Sequence, residues 1–253
     1  MSLVSIDNVS FAYTSERQIL AGVSTEIAPG ATVGLVGESG SGKTTLLRLL
    51  LGLTKPQGGT IRFDGQVLDP SNRAFMRDYR RQAQVVYQDP YSSLDPRQKV
   101  FSIIAEPLKS LRIAGDHKAM VMAALEAVGL EADSANRYPH QFSGGQRQRI
   151  AIARAIVAKP KLLLADEAVS ALDLTTKVRV VELLRTLSRE MALLFVSHDI
   201  AVVAALCEHI IILEKGVIVE QGKTAEVLAN PQHAYTQRLL SSVPRLSFKD
   251  EEL

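Results

Sequence analysis

The 253 residues, 46% of them apolar, suffice for one large α/β domain, or a domain with an inserted lobe, around a substantial core; a disordered chain and a long coiled coil are excluded. With 29 basic and 27 acidic side chains the net charge is only +2, so no global field is available to hold DNA or an anionic membrane. One cysteine, Cys207, excludes an internal disulfide and any cysteine-clustered zinc or iron–sulfur site, and fits a reducing compartment. Asp7 interrupts the start and no apolar h-region follows Met1, so no secretory signal is expected and the chain is expected in the cytoplasm. The longest unbroken apolar run, Ile200 to Cys207, has eight residues. A membrane-spanning helix needs about 20, which leaves only a peripheral membrane role.

Short strands are predicted first, over Leu3 to Tyr13, Val23 to Ile27 and Ala31 to Val36, the last running into a glycine-rich turn. Ser41 to Leu51 reads as a helix, stopped by Gly52 and the cluster from Pro56 to Gly59. Thr60 to Phe63 and Gln66 to Leu68 then form a hairpin around Asp64 and Gly65. From Phe101 to Ala158 the strand-like runs give way to helical patterns, over Phe101 to Arg112, His117 to Val128 and Gly145 to Ala158, which marks an inserted helical lobe. Short apolar strands return at Leu162 to Ala165, Leu193 to Val196 and Ile210 to Leu213, the first two separated by a helix over Leu174 to Glu190; this alternation implies a parallel sheet. Pro231 to Leu253 reads as an appendage with a helical turn or two and a charged end.

The chemistry starts at Gly37, Glu38, Ser39, Gly40, Ser41, Gly42, Lys43 and Thr44, which match the phosphate-loop pattern between an apolar strand and a helix. Glycines let consecutive N–H groups converge on phosphate oxygens, the helix N-terminus adds its positive dipole end, Lys43 balances β/γ charge and the Thr44 hydroxyl can ligate Mg²⁺. Thr45 is positioned for a further phosphate contact. A plain Gly/Ser loop is the rival reading, and the flanking strand and helix argue against it. Asp166 and Glu167 follow the apolar run Leu162 to Ala165, so Asp166 can hold the Mg²⁺ shell while Glu167 polarises an attacking water as general base; strand-end acids also serve as helix caps. Ser143 and Gln146 read locally as the S-x-x-Q capping box of the helix that follows.

Phe142-Ser143-Gly144-Gly145-Gln146, 23 residues before Asp166, also resembles the signature motif of the ATP-binding cassette family. That resemblance implies an α/β phosphate-loop NTPase, with a RecA-like core built on a parallel sheet, an antiparallel β subdomain and an inserted α-helical subdomain. It also implies that Ser143, Gly144, Gly145 and Gln146 meet the γ-phosphate of an ATP held by a partner cassette. Tyr13 resembles the aromatic that stacks on adenine, Gln88 the Q-loop glutamine that reaches Mg²⁺ and the lytic water, Asp173 the D-loop acid and His198 the switch histidine at the γ-phosphate. Taken singly, these four read as a strand-face aromatic, a polar turn, a helix cap and a structural histidine. The resemblance spans about Leu3 to Leu240: one ATPase domain over 1–240, with a core in 1–90 and 160–230, a helical subdomain in 91–159, and a tail over 231–253.

Tyr91 to Arg97, Tyr138 to Gln141 and Gln232 to Leu240 resemble the dipeptide, oligopeptide and nickel importer group. The implied activity is ATP hydrolysis energising peptide uptake, with nickel or another metal chelate as the alternative substrate. Implied partners are a second, non-identical ATPase, two membrane permease subunits docking near Gln88 to Pro107, and an extracytoplasmic binding protein; the implied location is the cytoplasmic face of the inner membrane. Ala168 stands where most of the family has proline, a substitution shared with some nickel importers, and the tail lacks the cysteine cluster of other members. Arg137, Arg147, Arg149, Arg154, Lys159 and Lys161 form a basic stretch. It reads as a solvated helix face or as charge facing the opposed ATP, ahead of nucleic acid, because interleaved aromatics are missing. A soluble cassette ATPase acting on ribosome or DNA is the rival function, and would show paired cassettes or a long coiled-coil insertion. A catalytically silent subunit is disfavoured by the intact Glu167, His198 and signature.

Overall fold

A computed structural model describes residues 2–14 and 17–241 of the chain. β1 (Val4–Thr14) and β2 (Arg17–Ile27) pair antiparallel, from Val4 against Ile27 to Thr14 against Arg17. The chain then passes through β3 (Thr32–Val36) and α1 (Lys43–Leu50) before returning to this sheet as β4 (Gly58–Phe63) and β5 (Gln66–Val67), giving the order β2-β1-β4-β5. The tight turn at Asp64 and Gly65 has φ of 50° and 77°. An Asp-Gly pair tolerates this left-handed backbone, which matches the twist of the flanking strands. Leu46, Leu47, Leu49 and Leu50 of α1 share one buried cluster with Ile6, Phe11, Val23 and Ile61 of this sheet and Leu35 of β3. The small sheet thus packs against the helix that follows the phosphate loop.

The second sheet adds β6 (Ala83–Val86), β7 (Leu162–Asp166), β8 (Ala192–Ser197), β9 (His209–Glu214) and β10 (Val217–Lys223) in the order β10-β9-β3-β8-β7-β6. β9, β3, β8, β7 and β6 run parallel, and β10 joins the edge antiparallel to β9. Every residue of β3 and β8 is buried, as expected for strands covered on both faces. The expected parallel sheet is therefore present. Its outer strands β6 and β10 are additions: β6 is four residues long, and the half-exposed β10 carries Glu220, Gln221 and Lys223, so neither shows the continuous apolar run of a central strand. The preceding α2 (Arg73–Gln82) likewise escapes a periodicity search, because it buries only Met76 and Tyr79; Asn72 caps it.

After β6 come α3 (Pro90–Ser93), α4 (Val100–Ser110) and α5 (His117–Ala127), then short 3-10 turns at Ala132–Asn136 and Pro139–Gln141, then α6 (Gly144–Ile156). α7 (Leu174–Leu187) and α8 (Ile200–Leu206) follow β7 and β8, and α9 (Thr224–Ala229) and α10 (Ala234–Ser241) close the described chain. α6 buries Ile150 to Ala153 in a cluster that includes Ile104 of α4, Leu125 of α5 and the sheet residues Val36, Val86 and Phe195. The helical segment therefore shares a core with the parallel sheet.

The basic stretch is tied into the fold at most of its positions, while Lys159 and Lys161 remain exposed. Arg137 donates to Gln141 O at 2.8 Å, Arg147 to Pro139 O at 2.7 Å and Arg149 to Val128 O at 2.9 Å, Arg154 bonds Ser93 O, and Lys161 pairs with Asp64 at 2.7 Å. Guanidinium groups fit this work because their several donors satisfy carbonyls left open at helix and turn ends. The segment from Pro231 carries its expected turns of helix as α10, and they dock on the core: Tyr235 is 3% exposed and Thr236 fully buried. Its charged end, beyond Ser241, lies outside the described residues.

Candidate functional site

β3 delivers the phosphate loop at the end of the parallel sheet, and α1 leaves it. Gly40 and Gly42 adopt φ of 81° and 112°, conformations open to glycine. Gly42 occupies the N-cap of α1 without a side-chain hydrogen bond, whereas Asn72, Asp89, Asp116, Ser143, Asp173 and Asp199 cap α2, α3, α5, α6, α7 and α8. Among the described residues, the N–H groups of Gly42, Lys43, Thr44 and Thr45 donate to no protein acceptor. Glu38, Ser39 and Gly40 are exposed at the crest, Gly37 and Ser41 are buried at its base, and Thr44 is exposed while Thr45 is buried. Lys43 Nζ folds over the loop, donating to Gly37 O at 2.6 Å and Glu38 O at 2.9 Å. Burial lowers its pKa, against the opposing charges of Glu167, Asp166 and Glu38.

Asp166 ends β7, two strands from β3 in the sheet, and Glu167 follows it directly. Burial pushes the Asp166 carboxyl up, the neighbouring Glu167 adds to the shift, and Lys43 opposes it. Glu167 holds a left-handed φ of 46°, uncommon for a side chain with a Cβ. Three hydrogen bonds fix that conformation: its N–H donates to Val196 O at 2.9 Å, and its carbonyl accepts from Ser170 N at 3.0 Å and Ser170 Oγ at 2.9 Å. The buried Ala168 follows directly. His198 leaves β8 with Nδ1 3.2 Å from Glu167 Oε1. Lys43, Asp166, Glu167 and His198 thus gather where three parallel strands end, with His198 in contact with Glu167.

Gln88 and Asp166 line a common cleft of about 520 Å³, whose wall includes Tyr87, Glu106 and Arg154. Burial lowers the Arg154 pKa while Glu106 and then Tyr87 counter it. Sequence reading places Arg154 only in the basic stretch, because nothing along the chain links α6 to Glu106 of α4. Tyr13 lies on β1, 56% exposed and edge-on to Phe11 at 4.9 Å between ring centroids. Ser143 and Gln146 make the expected capping box: Ser143 Oγ accepts from Gln146 N at 3.3 Å and Gln146 Oε1 from Ser143 N at 3.0 Å. Asp173 caps α7 by accepting from Thr176 N at 3.0 Å, and hydrogen bonds from Thr176 hold its carboxyl below the usual range. Gly144 is open, but a Cβ on Gly145 would lie 2.2 Å from Thr176 Cγ2, so the start of α6 packs tightly on the first turn of α7.

Residues 20–170 match the family described as ABC transporter. The chain belongs to the ABC transporter family. Residues 219–253 match the C-terminal region of oligopeptide/dipeptide transporters, which places this ABC protein in that group. The glutathione import ATP-binding protein GsiA of Escherichia coli (strain K12) and that of Shigella flexneri are each 48% identical over 235 residues, 91% of this chain and 38% of the relative. The chain thus spans 38% of the length of these curated relatives. Among solved structures, cbiO1 of Clostridium perfringens, part of the ABC transporter complex cbiONQ, superposes with a TM-score of 0.82 at 26% identity, covering 90% of this chain and 91% of that one. The ATP-binding cassette MJ0796, solved as a post-hydrolysis dimer bound to ADP and Pi, gives 0.77 at 30% identity, covering 87% and 98%. The chain is accordingly an ATP-binding cassette of the ABC transporter family. No helix among the described residues is long and apolar enough to cross a membrane.

Proposed function

We propose that this chain is the ATP-hydrolysing subunit of an ABC importer that energises peptide uptake through separate membrane subunits from the cytoplasmic face of the inner membrane. The observation that carries the importer reading is the match of residues 219–253 to the C-terminal region of oligopeptide/dipeptide transporters. Glutathione, the substrate named for GsiA, is itself a peptide. A metal chelate is the alternative cargo, because Ala168 replaces the usual proline.

Residues 37–45 receive the ATP phosphates on the uncapped start of α1, and Lys43 leaves its carbonyl partners to balance their charge. Tyr13 offers an exposed ring for adenine. Asp166 is a half-buried carboxylate whose charged form is partly desolvated, and Thr44 presents its hydroxyl beside the loop; together with Gln88 they fit Mg²⁺, which characteristically takes one or two carboxylates and completes its shell with phosphates and water. Bound there, Mg²⁺ would supply neutralising charge to the β- and γ-oxygens. Glu167 orients the attacking water as general base, and His198, held against it, meets the γ-phosphate.

Ser143, Gly144, Gly145 and Gln146 complete the site of a partner cassette, and Asp173 lies in the same contact. Beside it Leu174 is 77% and Val178 49% exposed, an apolar pair one turn apart on α7 that suits burial against a second, non-identical ATPase. Two ATP molecules close the pair head to tail, and hydrolysis reopens it. Tagged chain purified from its native membrane should bring down that ATPase and two permease subunits, with ATP turnover stimulated by a peptide-loaded binding protein. Ribosomes or DNA in their place would favour the rival class, and a metal-loaded binding protein would change the cargo.

A further inference from the structure

Tyr235 lies 197 residues from Glu38, yet its hydroxyl accepts the Glu38 backbone N–H at 2.8 Å. The same peptide unit presents its other polar group, the Gly37 carbonyl, to Lys43 Nζ at 2.6 Å. N–H and C=O point in opposite directions across a trans peptide, so this plane is held from both sides and cannot rotate without breaking both bonds. The side chains of Tyr235 and Lys43 are both buried, and the bond from Tyr235 to the exposed Glu38 is itself part-buried.

The tyrosine is itself well anchored. Glu220 of β10 accepts from Gln232 N at 2.9 Å and His233 N at 3.1 Å, Gln237 Nε2 donates to Pro231 O at 2.9 Å, and Arg238 pairs with Glu214 of β9 at 3.4 Å. The turn between β9 and β10 reaches the loop as well, since Gly216 N donates to Ser41 O at 2.8 Å. One hairpin therefore supports the phosphate loop directly through Gly216 and indirectly through the tail helix it carries.

We propose that Tyr235 is a positioning residue for nucleotide binding: its hydroxyl holds the Gly37–Glu38 peptide so that the loop stays in its phosphate-receiving form. The inference rests on the reading of residues 37–44 as the phosphate site. Without the hydroxyl, the Glu38 N–H loses its buried acceptor and the peptide gains reason to turn toward another. A loop that spends time in other forms binds ligand in proportion to its competent fraction.

Tyr235→Phe keeps the buried ring and removes only the oxygen. In the full chain, calorimetric titration with a non-hydrolysable ATP analogue and Mg²⁺ should show affinity reduced about fivefold at unchanged stoichiometry. Hydrogen exchange at the Glu38 amide should quicken while β3 amides keep wild-type protection. A hydroxyl that merely staples the tail would lower the melting temperature and leave affinity alone, so wild-type affinity in this variant overturns the proposal whatever its melting temperature. Lys43→Ala, titrated in parallel, separates the two levels. If it loses affinity while Tyr235→Phe does not, only the role of Tyr235 falls; if it too binds like wild type, the phosphate-site reading falls with it.

Discussion

His198 Nδ1 and Glu167 Oε1 lie 3.2 Å apart, joining residues that follow the adjacent parallel strands β8 and β7. Neither side chain could locate the other along the chain. The contact depends on β7 and β8 pairing in a register that sets Asp166 against Val196, so that each strand releases its functional residue at the same level. The left-handed backbone at Glu167 is the second device, turning the carboxylate out of the strand direction; such backbone typically costs about 1–3 kcal/mol and persists where neighbouring bonds over-determine it.

Glu167→Gln removes the base but keeps the size and one acceptor of the side chain. In the assembled complex, turnover should fall about 10²- to 10⁴-fold while ATP binding survives. Phosphate release and filter binding on the same preparation check both halves. Wild-type turnover would take Glu167 out of the role.

Lys43→Ala should act on binding itself. Losing a charge-assisted contact worth about 1.5–3 kcal/mol lowers ATP affinity about 10- to 100-fold, measured by calorimetry on the isolated chain. The melting temperature without nucleotide should change little, because Lys43 is desolvated there and its hydrogen bonds offset that cost.

Gly145→Ala tests the approach of α6 to α7. The added Cβ would meet Thr176 Cγ2 at 2.2 Å, so the signature segment must shift. Hydrolysis in the complex should drop about tenfold, with ATP affinity of the isolated chain unchanged. Thr176→Ser removes the obstructing methyl and should restore turnover in the double variant, a coupling that a double-mutant cycle reads directly.

Cys207 supplies a pH and reactivity test. Burial pushes its thiol from 9.0 up to about 12. The folded state thus holds the proton more tightly than the unfolded chain, so the stability it contributes is complete below pH 9 and is lost as pH rises toward 12. Cys207→Ala should flatten that part of the alkaline stability curve, and maleimide should label the wild-type thiol at pH 8 only as fast as the chain opens.

Local chemistry made much of this legible in advance. The Asp-Gly hairpin, the apolar runs of β3, β7, β8 and β9, the helices of the middle segment and the Ser143–Gln146 capping box each depend on residues within a few positions of one another. Elements with weak local patterns escaped: α2 buries two side chains, and β6 and β10 lie at sheet edges. The carbonyl partners of Arg137, Arg147, Arg149 and Arg154 were hidden for a related reason, since charge is visible along a chain but the group that receives its hydrogen bond is not.

The resemblance carried by the motifs around Lys43, Gln88, Ser143, Asp166, Asp173 and His198 was legible in the sequence alone, and with it the family and the candidate site. Tertiary structure alone decided how those residues meet. Parallel register set His198 against Glu167, close packing brought Gly145 onto Thr176, and the tail folded back to place the Tyr235 hydroxyl on Glu38. Motifs report chemistry that acts over a few residues; contacts across 31 or 197 positions arise only when burial of the two apolar clusters closes the intervening chain.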